Sequence, residues 1–73
     1  MESAQVTINV TINGEPKTTR EGITIAAMLE SLGINPIRVA VERNLEIVPR
    51  STLADVAVEE GDQYEIVHFV GGG

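Results

Sequence analysis

Aliphatic and polar residues alternate strictly at the start of the chain. From Val6 to Ile12 every second side chain is aliphatic, with threonine or asparagine between. Strict alternation of β-branched residues predicts a strand that buries one face. Asn13-Gly14 follows, a dipeptide that tolerates the positive φ angles of a two-residue hairpin turn. The expected return strand over residues 15–20 contains Pro16 and no large aliphatic residue, so we expect it at or near a sheet edge, poorly paired at Pro16.

The hydrophobic period changes after Gly22. Aliphatic residues then recur at positions 25, 28, 29 and 32, the spacing of one face of a helix. Thr24 can accept a hydrogen bond at the start of this helix, and Gly33 can adopt the left-handed conformation that ends it. The pattern therefore predicts a helix over about residues 25–32, which Pro36 prevents from continuing.

Short strands and turns are predicted in the second half of the chain. They are a strand over 39–43, a turn at Asn44, a strand over 46–48 ended by Pro49, a helical turn from Ser51 or Thr52 to Asp55, a turn over 59–62 and a strand over 63–70. Strands with one apolar face need one covering layer, and only one predicted helix is long enough to supply it. We therefore predict a single domain over residues 1–73 with an α+β, β-grasp fold: a mixed sheet of four to five strands and one main packed helix.

Composition narrows the classes of function. The 73 residues include 5 Lys+Arg, 11 Asp+Glu and no Cys, for a net charge of −6. A core of this size supplies roughly 3–5 kcal/mol of net stability, so we expect no multi-step enzyme with its own cleft. The lack of cysteine excludes a disulfide framework, a thiolate zinc site and a cysteine nucleophile. Five scattered basic residues cannot form a phosphate-binding stripe, so we expect no nucleic acid partner, and a basic surface on any protein partner.

Membrane and export signals are missing from the sequence. No stretch approaches the roughly 20 apolar residues of a membrane span. Residues 1–5 have neither the cationic nor the apolar part of a signal peptide. We therefore expect a cytoplasmic protein with no membrane partner.

Side chains with catalytic or metal-binding chemistry are sparse. The single histidine, His68, stands in the last predicted strand without the neighbours of a triad or a metal motif. Glu59, Glu60 and Asp62 lack the alternating ligand spacing of a calcium loop. We therefore expect a structural or solvated histidine, a solvated acidic turn, and no catalytic or metal-binding side chain.

The remaining candidate is the end of the sequence, Gly71-Gly72-Gly73. Glycine has no Cβ, so this backbone can pass through a narrow channel and approach a nucleotide phosphate closely. The α-carboxylate of Gly73 is ionised at neutral pH, which makes it a nucleophile toward a phosphoryl group and a poor acyl donor until it is adenylated. The chain has no Gly-rich phosphate loop followed by Lys, so a partner must supply the ATP site. We predict a flexible tail over 71–73 that enters that partner's active site; a frayed, inert tail is the alternative.

A docking surface is predicted beside this tail. Gln63, Glu65, Val67 and Phe69 share one face of the last predicted strand. Because the first two favour solvent, we hypothesise that Val67 and Phe69 are also exposed and, with Val70, form a partner-docking patch. The alternative places Phe69, the only phenylalanine, in the core.

Several segments together resemble a known family. Residues 39–50 read VAVERNLEIVPR, residues 60–67 read EGDQYEIV, and the chain ends in VGGG. In this order and over essentially the whole chain, they resemble the thiamin-biosynthesis sulfur carrier family (ThiS). That family lies within the ubiquitin-like β-grasp carriers, which include the small subunit of molybdopterin synthase. One difference is Leu45, where glycine often follows the turn asparagine.

The resemblance implies a carrier, not an enzyme, that binds no cofactor itself. It implies that a ThiF-like or E1-like enzyme adenylates the carboxylate of Gly73 with ATP and Mg, and that a persulfide donor then converts it to a thiocarboxylate. Thiazole synthase would accept the sulfur to form the thiazole ring in thiamin biosynthesis. Gly72 and Gly73 match the terminal Gly-Gly of the family, and Gly71 matches the extra glycine of many members. The alternatives are a molybdopterin-type sulfur carrier, a ubiquitin-like protein modifier and a binding module with an inert tail.

Overall fold

The computed structural model describes residues 6–69, which form a five-stranded sheet and one α-helix. The elements are β1 (Thr7–Ile12), β2 (Glu15–Arg20), α1 (Ile25–Ser31), β3 (Val39–Arg43), β4 (Glu46–Val48) and β5 (Gln63–His68), with 3-10 turns at Pro36–Arg38 and Arg50–Thr52. The strand order is β2-β1-β5-β3-β4, in which β1 and β5 are parallel and the other neighbours are antiparallel. This arrangement is the predicted β-grasp fold. The second 3-10 turn begins one residue earlier than the sequence predicts.

The β1–β2 hairpin places β2 at the sheet edge, as predicted. Weak pairing at Pro16 is not observed, since Pro16 lies in register opposite Thr11. The Glu21 N–H donates to the Val6 carbonyl at 2.9 Å. Hydrogen-bonded pairs alternate along an antiparallel ladder, so the nitrogen of residue 16 points away from β1. Proline therefore removes no hydrogen bond from this ladder.

The helix α1 begins and ends near the predicted signals. The Ala27 N–H donates to Thr24 Oγ1 at 3.1 Å, which caps the first turn. The helix ends at Ser31, one residue earlier than predicted, and Gly33 follows with a φ of +80°. Within residues 6–69, the structure contains no helix with the length and apolar character needed to cross a membrane.

The hydrophobic core lies between α1 and one face of the sheet. Its main contributors alternate along the strands and repeat along the helix: Ile8, Val10, Ile12, Ile25, Met28, Leu29, Val39, Val41, Tyr64 and Ile66. Ile23 from the segment before α1, and Leu53 and Val58 from the segment before β5, complete it. The opposite face of β3, β4 and β5 has exposed apolar side chains, and none of the described elements covers it.

Candidate functional site

The carboxyl end of β5 leads the chain toward the predicted reactive tail. The last described residue, Phe69, donates its N–H to the Arg38 carbonyl at 3.0 Å. The chain is therefore bonded up to this point to Arg38, the residue directly before β3. The predicted docking residue Val70 and the predicted tail Gly71, Gly72 and Gly73 lie outside the described residues.

Val67 and Phe69 are exposed at the base of the tail. Val67 is 61% and Phe69 55% accessible to solvent. Glu65 on the same strand face is also exposed, whereas Tyr64 and Ile66 on the other face are buried. The exposure expected for Val67 and Phe69 is confirmed, and the alternative of a core Phe69 is wrong. Their role in docking stays a prediction.

Neighbouring strands extend this exposed apolar surface. Ala40 lies opposite Val67 in the β3–β5 ladder, and Ile47, 77% exposed, lies opposite Glu42 in the β3–β4 ladder. Directly opposed residues of antiparallel strands project from the same face, so these side chains share the open face of the sheet. We call Ala40, Ile47, Val67 and Phe69 the apolar patch. Sequence reasoning missed the first two because their adjacency depends on strand pairing.

The guanidinium of Arg50 lies beside the aromatic ring of the patch. The guanidinium carbon of Arg50 is 5.3 Å from the centroid of the Phe69 ring, within the range of a cation–π contact. Among residues 6–69, Arg50 forms no ion pair with a carboxylate. Its charge is thus held next to Phe69, the last described residue.

A buried polar network lies at the other end of β5. Asp62, only 5% exposed, accepts hydrogen bonds from Arg43 Nε at 2.9 Å and the Tyr64 hydroxyl at 2.8 Å. It also accepts from the Glu59 N–H at 2.9 Å and the Asn44 side-chain amide at 3.2 Å. The prediction of a solvated turn is therefore wrong for Asp62, because β3–β5 pairing brings its partners over it.

This network keeps Asp62 ionised. Burial opposes the charge, but hydrogen bonds from Glu59, Tyr64, Asn44 and Arg43 outweigh it and lower the pKa of Asp62 below its ordinary value. Burial, with the hydrogen bond to Asp62, raises the pKa of the Tyr64 hydroxyl, which therefore remains a donor. Although burial lowers the pKa of Arg43, the nearby carboxylate reverses this effect and leaves it raised. The donors are used within the fold, so the network stabilises this end of the sheet.

Other polar side chains supply no reactive cluster in the described part of the chain. Residues 6–69 contain no group of three or more His, Cys, Asp or Glu side chains placed to hold a metal ion. His68 is exposed at the end of β5, in agreement with a solvated histidine. Glu59 and Glu60 are exposed as expected.

Comparison with known proteins assigns the family. The model of the ThiS family matches residues 10–73. The chain belongs to the ThiS family. Sulfur carrier protein ThiS of Bacillus subtilis is 40% identical over 63 residues, which cover 85% of this chain and 96% of that protein. The crystal structure of the thiamine biosynthesis protein ThiS from Geobacter metallireducens is similar with a TM-score of 0.77 and 33% identity, covering 90% of this chain and 100% of that one.

Two longer relatives of this ThiS-family chain are thiazole synthases. The protein from Paramagnetospirillum magneticum is 52% identical and that from Magnetococcus marinus 46% identical, each over 66 residues and 90% of this chain. The chain spans only 20% of the length of either relative. The similarity is therefore to one segment of these two proteins.

Proposed function

We propose that this member of the ThiS family is a sulfur carrier that acts through the carboxylate of Gly73. A ThiF-like or E1-like partner binds ATP and Mg; a carboxylate oxygen attacks the α-phosphorus, pyrophosphate leaves, and an acyl-adenylate forms. A persulfide sulfur then attacks the acyl carbon and AMP leaves. Reduction of the resulting acyl disulfide by a thiol gives the thiocarboxylate, whose sulfur passes to thiazole synthase for thiamin biosynthesis.

The match of the family model through Gly73 is the observation that carries this proposal. The reactive group is a main-chain carboxylate, and the ThiS family is generally a non-catalytic carrier. The fold is consistent with this role because β5 and Phe69 lead the chain toward the tail beside an exposed apolar surface. Val67, Phe69 and Val70 are proposed to contact the activating partner, while Gly71, Gly72 and Gly73 enter its active site.

Similarity to thiazole synthases supports the proposed acceptor. Two proteins of that name contain a segment that is 46–52% identical to this chain. Names of the relatives in thiamin biosynthesis favour this pathway over a molybdopterin-type carrier. The dependence on ATP is a reason to propose a cytoplasmic location.

An intact-mass measurement tests the proposed chemistry. The full chain is incubated with a ThiF-like enzyme, Mg-ATP, a persulfide donor and a thiol reductant. We expect a mass gain equal to the replacement of one oxygen by sulfur.

A matched control is the same chain with one alanine added after Gly73, which moves the carboxylate away from the glycine and should show no gain. The proposal is overturned if the unextended chain also shows none while the same enzymes modify the Bacillus carrier.

A further inference from the structure

The Asn13-Gly14 turn is bound to β5 through the side chain of its asparagine. Asn13 Oδ1 accepts from the Ile66 N–H at 2.8 Å, and Asn13 Nδ2 donates to the Ile66 carbonyl at 3.2 Å. The Asn13 N–H also donates to the Tyr64 carbonyl at 2.8 Å. An extended residue of a neighbouring strand would bond to Ile66 in the same way. The carboxamide therefore continues the β1–β5 pairing for one step after the backbone of β1 has turned away.

The same dipeptide is open to deamidation. In this reaction the backbone nitrogen of the following residue attacks the side-chain carbonyl carbon of asparagine, and a Cβ on that residue hinders the attack. Glycine has no Cβ. Asn13 and Gly14 are both exposed, and among residues 6–69 the Gly14 N–H donates to no backbone carbonyl. The attacking nitrogen is therefore accessible to solvent and free to react.

The carbon that is attacked, in contrast, is held in place. Two hydrogen bonds to Ile66 keep the carboxamide of Asn13 against β5, whereas the attack requires it to turn toward the Gly14 nitrogen. We propose that Asn13 is a site of spontaneous deamidation, and that opening of its contact with Ile66 sets the rate. The inference does not rest on the proposed function, because the reaction needs no partner.

The reaction uses only water and hydroxide. Hydroxide removes the proton of the Gly14 N–H, the nitrogen bonds to Cγ of Asn13, and ammonia leaves with a proton from water, which gives a cyclic succinimide. Water then opens the ring: cleavage of the nitrogen bond at Cγ gives aspartate, and cleavage at the α-carbonyl gives isoaspartate. Ionised aspartate cannot donate to the Ile66 carbonyl, and isoaspartate carries the main chain through the former side chain. Both products lose the two-bond contact.

Loss of this contact should loosen one side of β5 near its end. Ile66 lies shortly before Phe69, the last described residue. On the other side of the strand, the Phe69 N–H donates to the Arg38 carbonyl. Bonded sides alternate along an antiparallel strand, so Val67 also faces β3 while Ile66 faces the hairpin. Deamidation should therefore free the Ile66 amide and leave the Val67 amide bonded.

Reaction rates in the folded and unfolded chain test the proposal. The full chain is incubated at mildly alkaline pH with and without concentrated urea, and replacement of NH₂ by OH at Asn13 is followed by mass spectrometry of a proteolytic peptide. The folded chain should react at least about tenfold more slowly, because the contact must first open. The Ile66 amide reports the same opening, so its protection against hydrogen exchange should match this slowing within about fivefold. Equal rates in both states, or a larger mismatch, overturn the proposal.

Asn44 is the matched control within the same chain. It has the same φ of 52°, and its carboxamide accepts from the Gln63 N–H at 2.9 Å. Leu45 follows it, and the side chain of leucine hinders the attack. In urea, Asn44 should stay intact while Asn13 reacts, and Leu45→Gly should make Asn44 reactive. Equal loss at both asparagines of the wild type in urea would overturn the assignment of the site to Asn13.

The isolated product tests the effect on β5. The deamidated chain carries one more negative charge and is separated by ion-exchange chromatography. In the isoaspartate form, hydrogen exchange of the Ile66 amide should be faster by about tenfold or more, while that of Val67 stays within about threefold. Unchanged exchange at Ile66 would mean that the contact survives the modification, which overturns the loosening of β5.

Discussion

The carboxylate of Asp62 stays charged although it is buried, because four hydrogen-bond donors surround it. Arg43, Tyr64, Asn44 and the backbone of Glu59 each donate a hydrogen bond to its oxygens. Hydrogen bonds to a charged acceptor contribute about 1.5–3 kcal/mol, more than bonds between neutral groups. The stability of this end of the sheet therefore depends on the negative charge at position 62.

Replacing this charge should destabilise the fold in a pH-dependent way. Asp62→Asn keeps the shape but aims the donors at a weaker acceptor, so we expect a loss of roughly 1.5–3 kcal/mol in unfolding free energy at neutral pH. The folded-state pKa of Asp62 lies below its ordinary value of 3.8. The contribution of the charge is therefore complete above that value and disappears as pH falls through the lowered pKa.

Urea unfolding between neutral pH and pH 2 measures this effect. The wild type should lose stability faster than Asp62→Asn on acidification, so that the two curves converge. Asp55→Asn, an exposed change of the same chemistry, should lie within about 0.5 kcal/mol of the wild type. Parallel curves for the wild type and Asp62→Asn would show that the charge contributes nothing.

At the scale of elements, the β3–β4 turn has a conformation that its sequence disfavours. Asn44 and Leu45 have φ angles of 52° and 72°. Two positive φ angles match the twist of a two-residue hairpin, but the Cβ of leucine is strained there. Leu45 is 86% exposed, so core packing does not offset this strain. The Asn44 side chain holds the turn by accepting from the Gln63 N–H at 2.9 Å.

Glycine at this turn should therefore stabilise the protein. Leu45→Gly removes the Cβ and should raise the unfolding free energy by about 0.5–1 kcal/mol, with a higher Tm in a thermal melt. Leu45→Ala retains the Cβ and should give no such gain. A lower Tm for the glycine variant would mean that the leucine side chain has stabilising contacts that outweigh its backbone strain.

The sequence predicted the helices and strands well, because capping residues and hydrophobic periods act over a few residues. It did not predict contacts between residues that only strand pairing brings together. Thr24 caps α1, and Gly33 follows its end, because both signals act within a few residues. Asp62 was misread because its partner Arg43 is 19 residues away and reaches it through the β3–β5 ladder. The apolar patch depends on pairing in the same way, since Ala40 and Ile47 are placed on it by the two ladders of β3. Neither feature leaves a periodic pattern in the sequence.

Across the whole molecule, the buried core and the proposed binding surface lie on opposite faces of one sheet. The helix covers one face, and the apolar patch occupies the other beside the tail. The net charge of −6 predicts long-range attraction to a basic partner surface. Apolar contacts act only at short range, so the net charge would affect how fast a partner approaches, and the apolar patch would affect how well it fits.

This separation predicts that binding can be reduced without unfolding the protein. Phe69→Ala should weaken association with the adenylating enzyme by about tenfold, because an exposed aromatic next to the tail is a typical interface anchor. Its half-exposed ring and its contact with Arg50 contribute only about 0.5–1 kcal/mol to folding. Titration calorimetry measures the affinity, and thermal melting measures the stability.

A buried residue on the other face of β5 provides the matched control. Ile66→Val should cost about 0.5–1.5 kcal/mol of stability because it removes a methylene from the core. It should leave the affinity unchanged, since its side chain points away from the apolar patch. A large drop in Tm for Phe69→Ala with unchanged affinity would assign the ring to the fold. Weakened binding with a nearly unchanged Tm would show that the Phe69 ring contacts the partner. The two outcomes can be told apart because Ile66 is buried on one face of β5, whereas Phe69 is exposed on the other.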